Sequence, residues 1–225
     1  MAELWVANLG RVDYADAYAL QDELRAARQA GDIPDALLLL EHPPVYTKGR
    51  RTEAGDLPMG DDWYRAQGME VTDTNRGGRV TYHGPGQLVG YPIMQITDVI
   101  DYVRTLERGI ITALADEGIE ACVREGLTGV WVGDRKIGSI GVHVSRGVTM
   151  HGFAVNVDND LQPFEWIVPC GIDGVRMTSV YVETRRTGEM PCFRKRMAYR
   201  FADAFGLRQR IVSLDRLRAL HSVPA

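Results

Sequence analysis

Nucleophilic chemistry needs a thiol, hydroxyl or amine that a neighbour can deprotonate, and the chain offers three thiols: Cys122, Cys170 and Cys192. Cys170, in IVPCG, follows Pro169, which fixes the chain, and precedes Gly171, whose backbone N–H is placed to face an oxyanion. Cys192, in MPCFRKR, is its rival, because a helix start with Arg194, Lys195 and Arg196 nearby favours thiolate. Cys122, in GIEACVRE, falls on a predicted strand and reads as a core residue. Spacing alone ranks Cys170 only slightly above Cys192.

A base for such a thiol is suggested by rarity. Of 26 basic residues only three are lysine, Lys48, Lys136 and Lys195, which leaves 23 arginines, so a plain ion pair in this chain would be expected to use arginine. Lysine, unlike arginine, can lose its proton near neutrality when buried. Lys136 heads KIGSIGVHV, where small neighbours leave room beside it, although read alone an exposed turn lysine is the plainer reading. His83 and His151 lie in the glycine-containing segments YHGPG and MHGFAVN without an HExxH or a suitably spaced acidic ligand, so no metal site is expected. The segment RGGRVTYHGPGQLVGYP, residues 76–92, holds five of the 24 glycines and lets backbone approach a ligand closely. It is neither a dinucleotide fingerprint nor a phosphate loop, and a tight hairpin built on turn glycines fits it equally well.

The elements that must position these groups follow from periodicity. Asp13 to Gly31 reads as an amphipathic helix with Tyr14, Ala17, Leu20, Leu24 and Ala27 inward, Asp13 as cap and Gly31 as stop. Ala36 to Leu40 reads as a buried strand running into a rigid loop at His42, Pro43 and Pro44. A second helix is predicted from about Asp98 to Asp116, with Val99, Val103, Leu106, Ile110 and Leu114 on one face. Between Val130 and Val157, turns at 133–135 and 145–147 divide an antiparallel meander. Leu161 to Cys170 reads as irregular, and Pro191 to Phe205 as a surface helix with Met197, Phe201 and Phe205 as its apolar stripe. With no linker or repeat, one α+β domain spanning 1–225 is the expectation.

Composition bounds the function classes. The chain of 225 residues is 45% hydrophobic and 25% charged, ordinary for a globular protein and unlike a disordered or fibrous one. Its net charge of -4 argues against a nucleic-acid partner engaged through the overall field. The longest apolar run is Ala36 to Leu40, far short of the ~20 residues of a membrane helix, and MAELWVANLGRVD has no signal-peptide pattern, so no membrane and a cytoplasmic location are expected. Three cysteines without CxxC spacing fit free thiols in a reducing compartment.

Four segments in order, LLLLEHPPVYTKGRR (37–51), RGGRVTYHGPGQLVGYP, KIGSIGV and HGFAVNVDNDLQPFEWIVPCG, strongly resemble the octanoyltransferases of lipoate assembly. The resemblance implies an α+β fold shared with the catalytic domains of biotin and lipoate protein ligases, with mixed and antiparallel sheets flanked by helices. It places Cys170 at the acyl-accepting thiol and Lys136 at the lysine that activates it. The substrate pocket maps to Arg76, Gly77, Gly78, Arg79, Val80, Thr81, Tyr82 and His83, to Ser139, Ile140 and Gly141, and to His151, Gly152 and Phe153. Implied partners are octanoyl-acyl carrier protein and the lipoyl domains of E2 subunits and glycine-cleavage H protein, with no cofactor. Both are typically acidic, which makes Lys48, Arg50, Arg51, Arg76 and Arg79 candidates for a basic entrance.

The implied reaction has two steps: a Cys170 thioester forms from the carrier, then a lysine amine takes the acyl group. Thioester exchange is nearly neutral and amide formation downhill, so no ATP is needed. Glycines 77, 78, 84, 86, 138 and 141 are expected to line an acyl slot. Three alternatives compete: an ATP-dependent lipoate or biotin ligase, which has no need of a nucleophilic cysteine; a non-catalytic domain binding acyl chains or carrier protein; and a thiol hydrolase, for which no His/Asn pair is tied to Cys170.

Overall fold

The computed structural model describes residues 2–171 and 174–219. Along these the elements run β1 (Glu3–Arg11), α1 (Tyr14–Ala30), β2 (Asp35–Glu41), β3 (Val45–Lys48), α2 (Asp61–Ala66), β4 (Glu70–Asp73), β5 (Thr81–His83), β6 (Gln87–Ile93) and α3 (Val99–Ala115). There follow β7 (Cys122–Arg124), β8 (Leu127–Val132), β9 (Arg135–Ser145), β10 (Val148–Asn156), β11 (Arg176–Met177), α4 (Val180–Thr184), α5 (Met190–Ala204), β12 (Arg208–Ile211) and α6 (Leu214–Ala219). The larger sheet has the order β12-β1-β2-β6-β10-β9-β8-β7, with β11 alongside β9; the smaller is β4-β3-β5. The joins β12–β1, β1–β2 and β11–β9 are parallel and the others in the larger sheet antiparallel, so the fold is mixed α+β.

The run ALLLL in β2 is continuous because both faces of the larger sheet are covered. Leu37 and Leu39 pack with Leu106, Ile110, Met197 and Phe201 from α3 and α5, while Ala36, Leu38 and Leu40 pack with Leu20, Leu24 and Ala27 of α1. β1 obeys the same rule, with Leu4 and Val6 on one face and Trp5 and Ala7 on the other. The sequence reading assigned no strand there. Gly31 ends α1 in the left-handed conformation as expected, whereas the Asp13 side chain makes no cap bond. In α3 the buried face turns toward Tyr102, Leu106 and Ile110, and Val99 is exposed. Cys122, expected in the core, is exposed because β7 is the edge strand of its sheet.

A third cluster joins the smaller sheet to the segment that carries Cys170. Tyr46, Tyr64, Val80 and Tyr82 pack with Phe164 and Ile167. Tyr46 donates to the Pro163 carbonyl at 2.7 Å and Tyr64 to the Trp166 carbonyl at 2.5 Å. Two phenols thereby fasten the 3-10 turn Gln162–Trp166, the irregular segment read from sequence.

One glycine sets the geometry of β8 against β9. Gly129 has φ +123, and the register shifts between Val130 and Trp131. Its N–H donates to Glu107 Oε1 on α3 at 3.1 Å. A Cβ there would stand 2.5 Å from the Gly138 carbonyl oxygen and 2.8 Å from Lys136 Cε. The first obstacle is backbone and cannot swing aside. Gly129→Ala is therefore expected to cost about 2–3 kcal/mol in urea unfolding, and a wild-type midpoint would show that the bulge tolerates a side chain.

Candidate active site

Cys170 sits in the 3-10 turn Pro169–Gly171 with φ 58 and ψ 13, a left-handed conformation that a side chain rarely adopts. The turn is held from both sides. The Cys170 N–H donates to the Val80 carbonyl at 2.9 Å, and the Val168 N–H to the Asp56 carbonyl at 3.0 Å. The Gly171 N–H, expected to face an oxyanion, instead donates to the Val168 carbonyl at 3.1 Å. Both amides beside the thiol are thus committed to the turn.

Lys136 meets this thiol across 34 positions of sequence: its Nζ is 3.4 Å from Cys170 Sγ and 3.1 Å from the Thr128 carbonyl. Only 2% of Lys136 is exposed, against the exposed turn position that was the plainer reading of the residue taken alone. The cause lies in its strand: β9 is paired to Trp131 on one side and Met177 on the other at this residue, and the stem passes beside Gly129. Lys136 Nζ also lies 5.5 Å from the centre of the Trp131 ring. Cys192, the rival thiol, is exposed at the start of α5.

The pair opens on a cavity of about 310 Å³, at the lower end of small-molecule sites, ~300–1,000 Å³. Arg76, Gly77, Gly78, Arg79, Thr81 and His83 line it, as do Ser139, Ile140, Gly141, His151, Gly152 and Phe153. Val80 and Tyr82 point the other way, into the third core cluster, as strand alternation on β5 requires. Of the glycines expected as slot walls, 77, 78 and 141 line the cavity; Gly84 packs on Tyr82, Gly86 on Asn159 and Gly138 on Val130. Sequence reading missed Tyr14, Tyr91, Leu127, Thr128 and Val142 as lining residues. Tyr14 was visible only as part of a helix face, and Tyr91 stood inside the glycine segment that had been singled out.

The candidate basic entrance is smaller than the sequence suggested. Arg76 is only 7% exposed and donates to Thr47 Oγ1, the Thr47 carbonyl, and the carbonyls of Gly77 and Arg79. Arg79 clamps the buried Asp56 with bonds of 2.9 and 2.5 Å and pairs with Glu53, lying over Gly171 as a brace for the turn. Lys48 pairs with Asp61 and Asp73. Arg50 and Arg51 remain exposed, and Arg51 lines the cavity.

Three buried histidines surround the polar end. Burial pulls His42 down to about 4, and burial with nearby cationic or imidazole groups pulls His83 and His151 to about 3. All three are neutral at physiological pH in the fold, while in the unfolded chain they take up protons below about 6.5. The unfolded state therefore binds more protons as pH falls, and stability present above pH 6.5 is lost on the way to pH 4. Urea unfolding at pH 4.5 is expected to show a loss of about 2–3 kcal/mol per histidine relative to pH 7. Equal midpoints at the two pH values would show that these imidazoles are not held neutral.

Comparison with known proteins places this geometry. Residues 13–202 match the family described as lipoyl protein ligase A/B catalytic domain. The chain is 54% identical to an octanoyltransferase of Solibacter usitatus over 76% of its length and 80% of the relative's. It is 48% identical to one of Mycolicibacterium smegmatis over 88% of both. Lipoate-protein ligase A bound with ATP shares the fold, with TM-score 0.78 at 16% identity over 97% of this chain and 92% of that one. A bipartite lipoate protein ligase from Thermoplasma acidophilum gives 0.76 at 16% identity, covering 98% and 91%. Among the described residues no helix is long and apolar enough to cross a membrane. The chain belongs to the lipoyl protein ligase A/B catalytic domain family, as an enzyme of its octanoyltransferase type.

Proposed function

We propose that the chain is one catalytic domain that moves an octanoyl group from octanoyl-acyl carrier protein to a lysine of a lipoyl domain, through a thioester on Cys170. The observation that carries this reading is the 3.4 Å contact between Lys136 Nζ and Cys170 Sγ at the wall of the cavity. An ordinary thiol is only a few per cent ionised at neutral pH, so a base at hydrogen-bond distance raises the reactive fraction.

In the first step the Cys170 proton passes to Lys136 Nζ, sulfur attacks the carrier thioester carbonyl, and the carrier sulfur leaves and takes a proton from Lys136. In the second, a lysine amine attacks the Cys170 thioester. The N–C bond forms, the C–S bond breaks, and one amine proton returns through Lys136 to the sulfur. The acyl chain would lie along Leu127, Ile140, Val142 and Phe153, which line the cavity. Burying the six methylenes of an octanoyl chain there supplies ~5 kcal/mol at about 0.8 kcal/mol per methylene. The same increment sets how sharply chain length is read.

Intact mass spectrometry after brief incubation with octanoyl-carrier protein, without ATP, tests the thioester. An octanoyl adduct is expected on wild type and Cys192→Ser, lost in Cys170→Ser and discharged by a lipoyl domain. No adduct on wild type would overturn the covalent route in favour of ATP-dependent ligation or acyl-chain binding, and loss only in Cys192→Ser would move the nucleophile. The docking half of the reading rests on Arg50 and Arg51. Reversing both charges is expected to raise the carrier-protein KM about fivefold or more, the equivalent of ~1 kcal/mol, with the difference shrinking at high salt. An unchanged KM would remove these arginines from the docking surface.

A further inference from the structure

One imidazole at the polar end of the cavity has its hydrogen fixed by bonds that start at the backbone. Asn156 Nδ2 donates to the Thr178 carbonyl at 3.0 Å, which can only accept, so Asn156 Oδ1 faces Gln87 and accepts from its Nε2 at 2.9 Å. Gln87 Nε2 also donates to the Tyr82 carbonyl at 3.2 Å, a second acceptor-only group that demands the same orientation. Gln87 Oε1 is then left 2.7 Å from His83 Nδ1, and that nitrogen must carry the hydrogen. All three side chains are buried. A neutral imidazole with Nδ1–H has a bare lone pair on Nε2. Beside it, His42 has the same tautomer, its Nδ1 bonded to the Val12 carbonyl, but its Nε2 already accepts from Tyr91. His83 Nε2 has no donor among the described residues, and His83 lines the cavity that Cys170 also lines.

A lone pair held in a substrate cavity calls for an N–H or O–H of the substrate. An acyl chain has none, and the carbonyl under attack is itself an acceptor. The amine of the second step has two N–H groups. Arg76, buried nearby with its hydrogens directed to neutral acceptors, repels a second cation and so favours an amine held in its uncharged, nucleophilic form.

We propose that His83 Nε2 accepts one N–H of the attacking lysine amine and aims its lone pair at the acyl carbonyl, with Gln87 and Asn156 as positioning residues. This rests on the Cys170 acyl-enzyme reading. As the N–C bond forms and the C–S bond breaks, one amine proton leaves by way of Lys136 to sulfur. The other stays on the nitrogen, hydrogen-bonded to His83 Nε2, and becomes the N–H of the product amide. His83 takes no proton at any point.

Two measurements test this. In long-range proton–nitrogen spectra at pH 7, wild-type His83 is expected to carry hydrogen on Nδ1 and none on Nε2, and Gln87→Leu to lose that bias. An Nε2–H tautomer in wild type overturns the proposal whatever the variants do. In the second, enzyme is loaded from octanoyl-carrier protein, separated, and mixed with a lipoyl domain. His83→Phe and Gln87→Leu are expected to slow discharge at least tenfold more than they slow loading. Equal slowing of both halves means a structural role only, and greater slowing of loading assigns the lone pair to an amide N–H of the carrier's thioester arm. Either result overturns the proposal. Wild type that loads while the variants discharge normally removes this inference alone; wild type that never loads removes the acyl-enzyme reading beneath it.

Discussion

A buried lysine nitrogen within 3.4 Å of a thiol that the chain delivers from 34 residues away is the constraint around which the larger part of this fold is arranged. Neither group is placed by its own local structure. Lys136 is held because β9 is paired on both edges at that point and because Gly129 leaves room for its stem. Cys170 is held because its left-handed turn is fastened to Val80, to Asp56 and, through Arg79, to the loop that carries Asp56. A left-handed non-glycine residue costs on the order of 1 kcal/mol or more, and it persists here because several separate bonds over-determine the turn.

The surroundings explain how the polar end can be both buried and free of acid. The described residues place the Arg76 guanidinium, the imidazoles of His83 and His151 and two tyrosines there, with His42 packed behind His83, and Arg76 bonds only to neutral oxygens. A buried cation of this kind disfavours protonation of neighbouring imidazoles, which reinforces the effect of burial. The outcome is a region of positive potential lined by neutral hydrogen-bonding groups. Such a region suits a thiolate or an oxyanion and leaves amines in their nucleophilic form.

Much of the scaffold was legible in the sequence because it is set by period and punctuation. The α1 stripe, the Gly31 stop, the buried ALLLL run and the meander through Val157 follow from local rules that the tertiary structure does not override. β1 escaped because only Leu4 to Ala7 of its nine residues are buried, an apolar run too short to stand out, and Cys122 was misplaced because a strand's position at a sheet edge is not a local property. The candidate chemistry-bearing residues were singled out by rarity and by resemblance, which also paired Lys136 with Cys170, but how the residues around them pack was not legible. That Arg79 braces a turn, that Gly171 has no amide to offer and that Tyr14 and Tyr91 reach the cavity are facts of packing between elements far apart in sequence.

The likeness to a ligase bound with ATP at 16% identity separates scaffold from reaction. A fold of this kind supplies a slot walled by strands and glycines, and such a slot serves any chemistry that presents an acyl carbonyl to an amine. What decides between activated esters is the group at the carbonyl end of the slot. A free acid must be activated before an amine can take it, and that activation is the step that requires a nucleotide. A thioester arrives already activated, and its exchange onto another thiol is nearly neutral in free energy. On the proposed route, a site that places Lys136 Nζ against Cys170 Sγ needs only to keep the acyl group from water between the two transfers. Cys170 on its fastened turn, half-buried against a nearly inaccessible lysine, is the feature of this chain on which the proposed thioester route rests.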